Sequence, residues 1–129
     1  MRNAIETGLP AATAPYSWAV YNDGILYTVH IPIRADGSIE SGSPAAQTRQ
    51  TLENLTRAVS AAGGTLDDVV QVTIYLTDRA AKPEVDRVYA EFFSEPYPQR
   101  ACIFISGLAL EETCIEIVAI AHVGDDGGG

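Results

Sequence analysis

The sequence predicts one α+β domain, a six-stranded sheet with two helices packed on one face. Short apolar runs rich in β-branched and aromatic residues recur at residues 25–31, 69–76, 97–105 and 114–121. Two longer stretches instead carry apolar residues at helical spacing: Leu52, Leu55, Val59 and Ala62 in one, Val85, Val88, Tyr89 and Phe92 in the other. The element order reads βββ-α-β-α-ββ without an internal repeat. Two helices cannot cover both faces of six strands, so they gather on one.

Residues 1–15 are turn-rich, with Pro10 and Pro15 blocking helix. Strands at 17–21 and 25–31 flank Asn22-Asp23-Gly24, a hairpin turn signal, and Pro32 limits further pairing. Ser43 is placed as an N-cap with Pro44 at the first helical position, and the helix over 44–62 ends at Gly63-Gly64. In the strand at 69–76, alternation sends Val70, Val72, Ile74 and Leu76 to one face and Val69, Gln71, Thr73 and Tyr75 to the other. The second helix, 83–94, has Phe93 at the edge of its stripe and stops at Pro96 and Pro98.

The last two strands are expected to pair antiparallel, joined by residues 106–113. That pairing brings Glu116 near Cys102 and within diagonal reach of Arg100. A guanidinium and a carboxylate on an apolar sheet then form a small anion site with a water-activating group beside it. The plainer reading is a solvated arginine with an edge-guarding or ion-paired glutamate. The helix-free face, with Tyr75, Cys102, Phe104, Val118 and Ile120 as candidates, is left apolar and open. A patch of that kind marks an assembly surface and predicts a homo-oligomer. Residues 1–123 form the domain, and 124–129 read as a disordered Gly/Asp tail.

Seventeen acidic against eight basic residues give a net charge of −9, which argues against nucleic acid or an anionic membrane as partner. An anionic metabolite then needs a local cation, for which Arg100 is the candidate. No signal peptide and no membrane-length run are read, and the two cysteines point to reduced thiols in a cytoplasm. The Cys102–Cys114 spacing leaves a disulfide open. Two histidines without ligand-like spacing, His30 and His122, give no metal site. His30 has two open readings, a hydrogen-bonded structural residue or a catalytic one. Tyr16 reads as a packed surface aromatic, and Cys102 as a wall residue, since no histidine is placed to activate it.

Ala14-Pro15-Tyr16-Ser17, the segment 47–55 (QTRQTLENL) and the segment 85–93 (VDRVYAEFF) together resemble the Rid family, the YjgF-like reactive intermediate (imine) deaminases. So do Pro98-Gln99-Arg100-Ala101-Cys102 and the segment 115–121 (IEIVAIA), and the resemblance runs from about residue 10 to 122. It implies a chorismate-mutase-like fold and a homotrimer with ligand clefts between subunits. It implies hydrolysis of 2-aminoacrylate or a pathway-specific enamine or imine to a 2-keto acid and ammonia, without a cofactor. By the same resemblance Arg100 binds the substrate carboxylate, Glu116 activates the attacking water, Tyr16 lines the cleft and Cys102 sits beside the substrate. The chain is a divergent member: Thr28-Val29-His30 stands where the family typically has Ser-Gly-Gln, and Asp86 where Asn is frequent. Val29 is expected to narrow the cleft and Asp86 to repel a carboxylate if it faces the ligand. The alternative function is a non-catalytic trimer that holds small carboxylates and regulates a partner.

Overall fold

The structure is a computed structural model that describes residues 1–124. The elements are β1 (Asn3–Ala4), β2 (Ala19–Asn22), β3 (Ile25–His30), α1 (Pro44–Ala61), β4 (Val69–Leu76), α2 (Lys82–Phe92), β5 (Gln99–Phe104) and β6 (Ile115–His122). They form a six-stranded mixed sheet in the order β1-β2-β3-β6-β4-β5. Of the residues expected to form a tail, 124–129, all but Gly124 lie outside the described residues.

Local chemistry sets most of these boundaries. The β2–β3 hairpin turns on Asp23 and Gly24, at φ 56° and 85°, the left-handed pair that a tight turn with the sheet's twist requires. The Ser43 side chain accepts a hydrogen bond from the Ala46 amide and starts α1. Leu52, Leu55, Ala58 and Val59 of α1 and Val85, Val88 and Tyr89 of α2 bury against Val72, Ile74, Leu76, Ile115 and Ile117 of the sheet. Phe93, expected at the edge of the α2 stripe, is buried: the chain turns extended there (φ −115°, ψ 145°) and drops the ring into the core.

The expected pairing of the last two strands is overturned. β5 lies parallel to β4, with Arg100 opposite Val72 and Cys102 opposite Ile74. β6 instead inserts between β3 and β4, antiparallel to both. The α2 crossover makes β4–α2–β5 a βαβ unit, and that unit fixes β5 at the sheet edge. Segment 106–113 is therefore a link past β4, not a hairpin turn.

Two further corrections follow from the register. Arg100, Cys102 and Phe104 share the helix-packed face with Val72, Ile74 and Leu76, so Cys102 and Phe104 do not belong to the open face. That face carries Tyr27, Val29, Tyr75, Ile103, Glu116, Val118 and Ile120, with Tyr27 46% and Ile103 42% exposed. Within β4 a bulge between Val69 and Gln71 buries Val69 and leaves Val70 exposed, the reverse of strict alternation. Among the described residues no helix is long and apolar enough to cross a membrane.

Candidate functional site

The residues singled out in the sequence fall into two separate places on the chain. Glu116 opens the first. It stands near the start of β6 on the open face, where the side chains of Tyr16, Trp18, Val29, Ile31 and Leu110 close a cavity of about 380 Å³ around it. Burial pushes the Glu116 carboxyl above the usual carboxylate range. Burial, and then the charge of Glu116, push the Tyr16 hydroxyl up as well. The walls are held from outside. The Trp18 indole donates to the Pro10 carbonyl at 2.7 Å, and the Tyr16 ring meets Trp18 edge-on at 5.1 Å between centroids.

Two buried amides on one face of α1 fix the segments that carry this cavity. The Asn54 amide nitrogen donates to the Ile31 and Ile33 carbonyls at 3.0 and 2.8 Å. Gln47 accepts from the Cys114 amide at 2.8 Å and donates to the Glu112 and Gly42 carbonyls at 3.2 Å each. One rigid helix thereby ties down both flanks of the cavity, the end of β3 and the approach to Glu116.

Strand alternation splits the Thr28-Val29-His30 stretch. Val29 faces the cavity, while Thr28 and His30 are buried on the helix side. The Thr28 hydroxyl donates to the Ala119 carbonyl at 3.3 Å. His30 is 0% exposed and stacks on Trp18 at 6.4 Å, and burial lowers its pKa to about 3. It backs the cavity wall and does not enter the cavity.

Arg100 builds the second place. Its Nη2 donates to Asp86 Oδ1 at 2.7 Å, and its guanidinium lies over the Tyr89 ring at 4.8 Å. Lys82 donates to the other Asp86 oxygen at 2.6 Å. Burial pushes the Asp86 carboxyl up, but the hydrogen bonds from Lys82 and Arg100 outweigh it and hold it below the usual range. Tyr89, Tyr97, Pro98 and Arg100 line a hollow of about 310 Å³. Cys102, two residues along the strand, packs against the core, and both cysteines are free thiols.

The two places do not meet within the chain. Arg100 is level with Val72 and, through it, with Ala119, three residues beyond Glu116 and two strands away. The backbones are roughly 14 Å apart by strand geometry, and the side chains leave opposite faces. Trp18, Tyr89, Tyr97, Lys82 and Gln47 are contributors that the sequence reading did not single out. Lys82 and Asp86, an i,i+4 pair, carried a readable signal. Among the described residues no cluster of His, Cys, Asp and Glu is arranged to hold a metal.

Residues 7–123 match the family described as endoribonuclease L-PSP. The chain is 41% identical over 121 residues to the 3-aminoacrylate deaminase RutC of Acinetobacter baylyi, covering 92% of this chain and 95% of the relative. It is 40% identical to a RutC family protein of Pyrococcus horikoshii, covering 95% and 98%. Among solved structures it is similar to RidA from the Antarctic bacterium Psychrobacter sp., with TM-score 0.87, 31% identity and coverage of 94% and 99%. It is also similar to E. coli TdcF with bound serine, with TM-score 0.85, 32% identity and coverage of 93% and 98%.

Proposed function

The chain belongs to the endoribonuclease L-PSP family, the family of the Rid proteins, and from that premise we propose that it hydrolyses a small enamine or imine carboxylate to an oxo acid and ammonia. The reading rests on one observation: an arginine that can fork a carboxylate and a half-buried glutamate with a raised pKa line two separate hollows, neither of which holds both groups. In a homotrimer the Arg100 hollow of one protomer faces the Glu116 cavity of its neighbour, and the cleft is complete. The apolar open face, with Tyr27, Val118 and Ile120, supplies the assembly surface.

In that cleft Arg100 binds the substrate carboxylate through two of its nitrogens. An enamine first takes a proton on carbon and becomes an imine. Water held by Glu116 attacks the C=N carbon, and its proton passes to the glutamate. Glu116 then gives that proton to the nitrogen, the C–N bond breaks, and ammonia leaves as the C=O bond forms and the hydroxyl's remaining proton passes to the freed Glu116 carboxylate. A carboxyl whose pKa lies above the ordinary range suits both transfers, because neither protonation state is far out of reach. Tyr16 and Val29 set the shape of the space beside the reacting carbon, and Cys102 stays a wall residue.

The relative's activity makes 3-aminoacrylate the first compound to test, with 2-aminoacrylate the second. The bound serine of TdcF supports a ligand of amino-acid size. A polyanion is disfavoured by the net charge of −9, so the ribonuclease of the family description is not carried over.

The test follows ammonia release from freshly generated 3-aminoacrylate and 2-aminoacrylate. Glu116→Gln is expected to keep carboxylate binding and lose turnover, and Arg100→Ala to lose binding. Wild-type activity should rise with pH through the raised Glu116 pKa, since the base must be unprotonated to take the water proton. Full turnover in Glu116→Gln overturns the mechanism. Binding without turnover in the wild type favours the carboxylate-holding module instead.

A further inference from the structure

Asp86 has no part in the chemistry above, yet it is the group that Arg100 touches. Lys82, Asp86 and Tyr89 stand on one stripe of α2, and Arg100 reaches them from the sheet edge. Each oxygen of Asp86 is engaged by a different cation, Oδ1 by Arg100 at 2.7 Å and Oδ2 by Lys82 at 2.6 Å. Arg100 is therefore held by a single nitrogen, Nη2, rather than in the two-pronged mode a carboxylate can accept. The guanidinium carbon lies over the Tyr89 ring, 4.8 Å from its centroid. Among the described residues no group accepts a hydrogen bond from Nε or Nη1 of Arg100, and the side chain is 24% exposed.

We propose that Asp86 is a positioning residue for the carboxylate anchor: it holds one edge of the Arg100 guanidinium so that the remaining nitrogens are presented to a single substrate carboxylate. This rests on the reading of Arg100 as that anchor. Asp86 sits beside the guanidinium, hydrogen-bonded to Nη2, with its own charge already shared between two cations. The expected repulsion of a ligand carboxylate is thereby offset. The trio Lys82, Asp86 and Arg100 carries a net charge of +1, matched to one carboxylate. An arginine free to sample its rotamers has to be ordered by each incoming ligand, and that ordering weakens binding.

The experiment is calorimetric titration of the assembled protein with pyruvate, a single carboxylate, and malonate, a double one. Wild type is compared with Asp86→Ala, Asp86→Asn and Arg100→Ala, and kcat and KM are measured alongside. Asp86→Ala is expected to weaken pyruvate binding about tenfold and to raise KM with kcat held, from the loss of one charge-assisted hydrogen bond. Asp86→Asn keeps an oxygen that accepts from Nη2, so pyruvate binding should be rescued. With the local charge raised to +2, malonate should bind this variant more tightly than it binds wild type. Pyruvate binding in Asp86→Ala as tight as wild type, or tighter, overturns the proposal, because Asp86 is then a bystander or a competitor. An Asp86→Asn variant as weak as Asp86→Ala overturns it too, and unchanged malonate affinity overturns the charge matching. Arg100→Ala binding like wild type defeats the anchor reading itself. Binding lost in Arg100→Ala but undiminished in Asp86→Ala defeats only this inference.

Discussion

Replacing His30 by phenylalanine should remove a defined part of the protein's sensitivity to acid. The ring is fully buried, neither nitrogen has a hydrogen-bond partner among the described residues, and burial lowers its pKa from 6.5 to about 3. In the unfolded chain the imidazole takes a proton below its ordinary pKa, while in the folded chain it stays neutral down to about 3. The unfolded state thus binds the extra proton, and stability is complete above 6.5 and lost as pH falls through that window. At about pH 5 the loss is about 2 kcal/mol, from roughly one and a half pKa units at 1.36 kcal/mol each. Phenylalanine keeps a planar ring against Trp18 but cannot titrate. Its extra bulk costs about 1–3 kcal/mol at every pH and cancels from the comparison. Urea denaturation of both proteins at fixed concentration, from slightly alkaline pH down to about pH 5, reads the difference. The wild type should lose about 2 kcal/mol more than His30→Phe across that range. Equal losses would refute the reasoning.

Val29→Gly should open the Glu116 cavity and raise turnover of 2-aminoacrylate roughly ten- to hundredfold, the value of relieving a close contact of about 1–3 kcal/mol. Steady-state kinetics against 3-aminoacrylate in parallel show whether the gain is selective, and no gain means Val29 is not the constriction. Gln47→Met should leave the Cys114 amide and the Glu112 and Gly42 carbonyls without their amide partner, at about 1–3 kcal/mol. It should lower the thermal midpoint and kcat together, and hydrogen exchange at 106–114 should speed up. Unchanged exchange there would show that the segment does not depend on this tie.

Local signals made the helices, the Ser43 cap, the hairpin at Asn22-Asp23-Gly24 and the span of β4 legible, because each is decided by residues a few positions apart. The strand order was not, because it depends on which segment fills the middle of the sheet. One clue was present. The run 115–121 is apolar on nearly every position after Glu116, as a central strand must be, while β5 opens on Gln99 and Arg100 as an edge strand does. Taking neighbours in sequence for neighbours in the sheet hid it. Each of the eight site residues named from the sequence has a defined place, but Glu116, Tyr16 and Val29 gather in one hollow and Arg100 and Asp86 in another. The Val70 bulge has no signal in the residues flanking it. The contact of Asp86 with Arg100 joins positions fourteen residues apart through tertiary packing, beyond the reach of periodicity.

Mixing two inactive variants tests the shared cleft most directly. Arg100→Ala and Glu116→Gln each inactivate every site of their own trimer. If one protomer supplies the arginine and its neighbour the glutamate, a trimer containing both variants has a site built from the intact Arg100 of one and the intact Glu116 of the other. Unfolding and refolding an equimolar mixture should then recover about a quarter of wild-type turnover, the share of interfaces with that pairing under random three-fold assembly. The separately refolded variants should stay inactive. A mixture that assembles into trimers and remains as inactive as its components would contradict the account, because Arg100 and Glu116 would then have to serve one site from the same protomer or serve no common site.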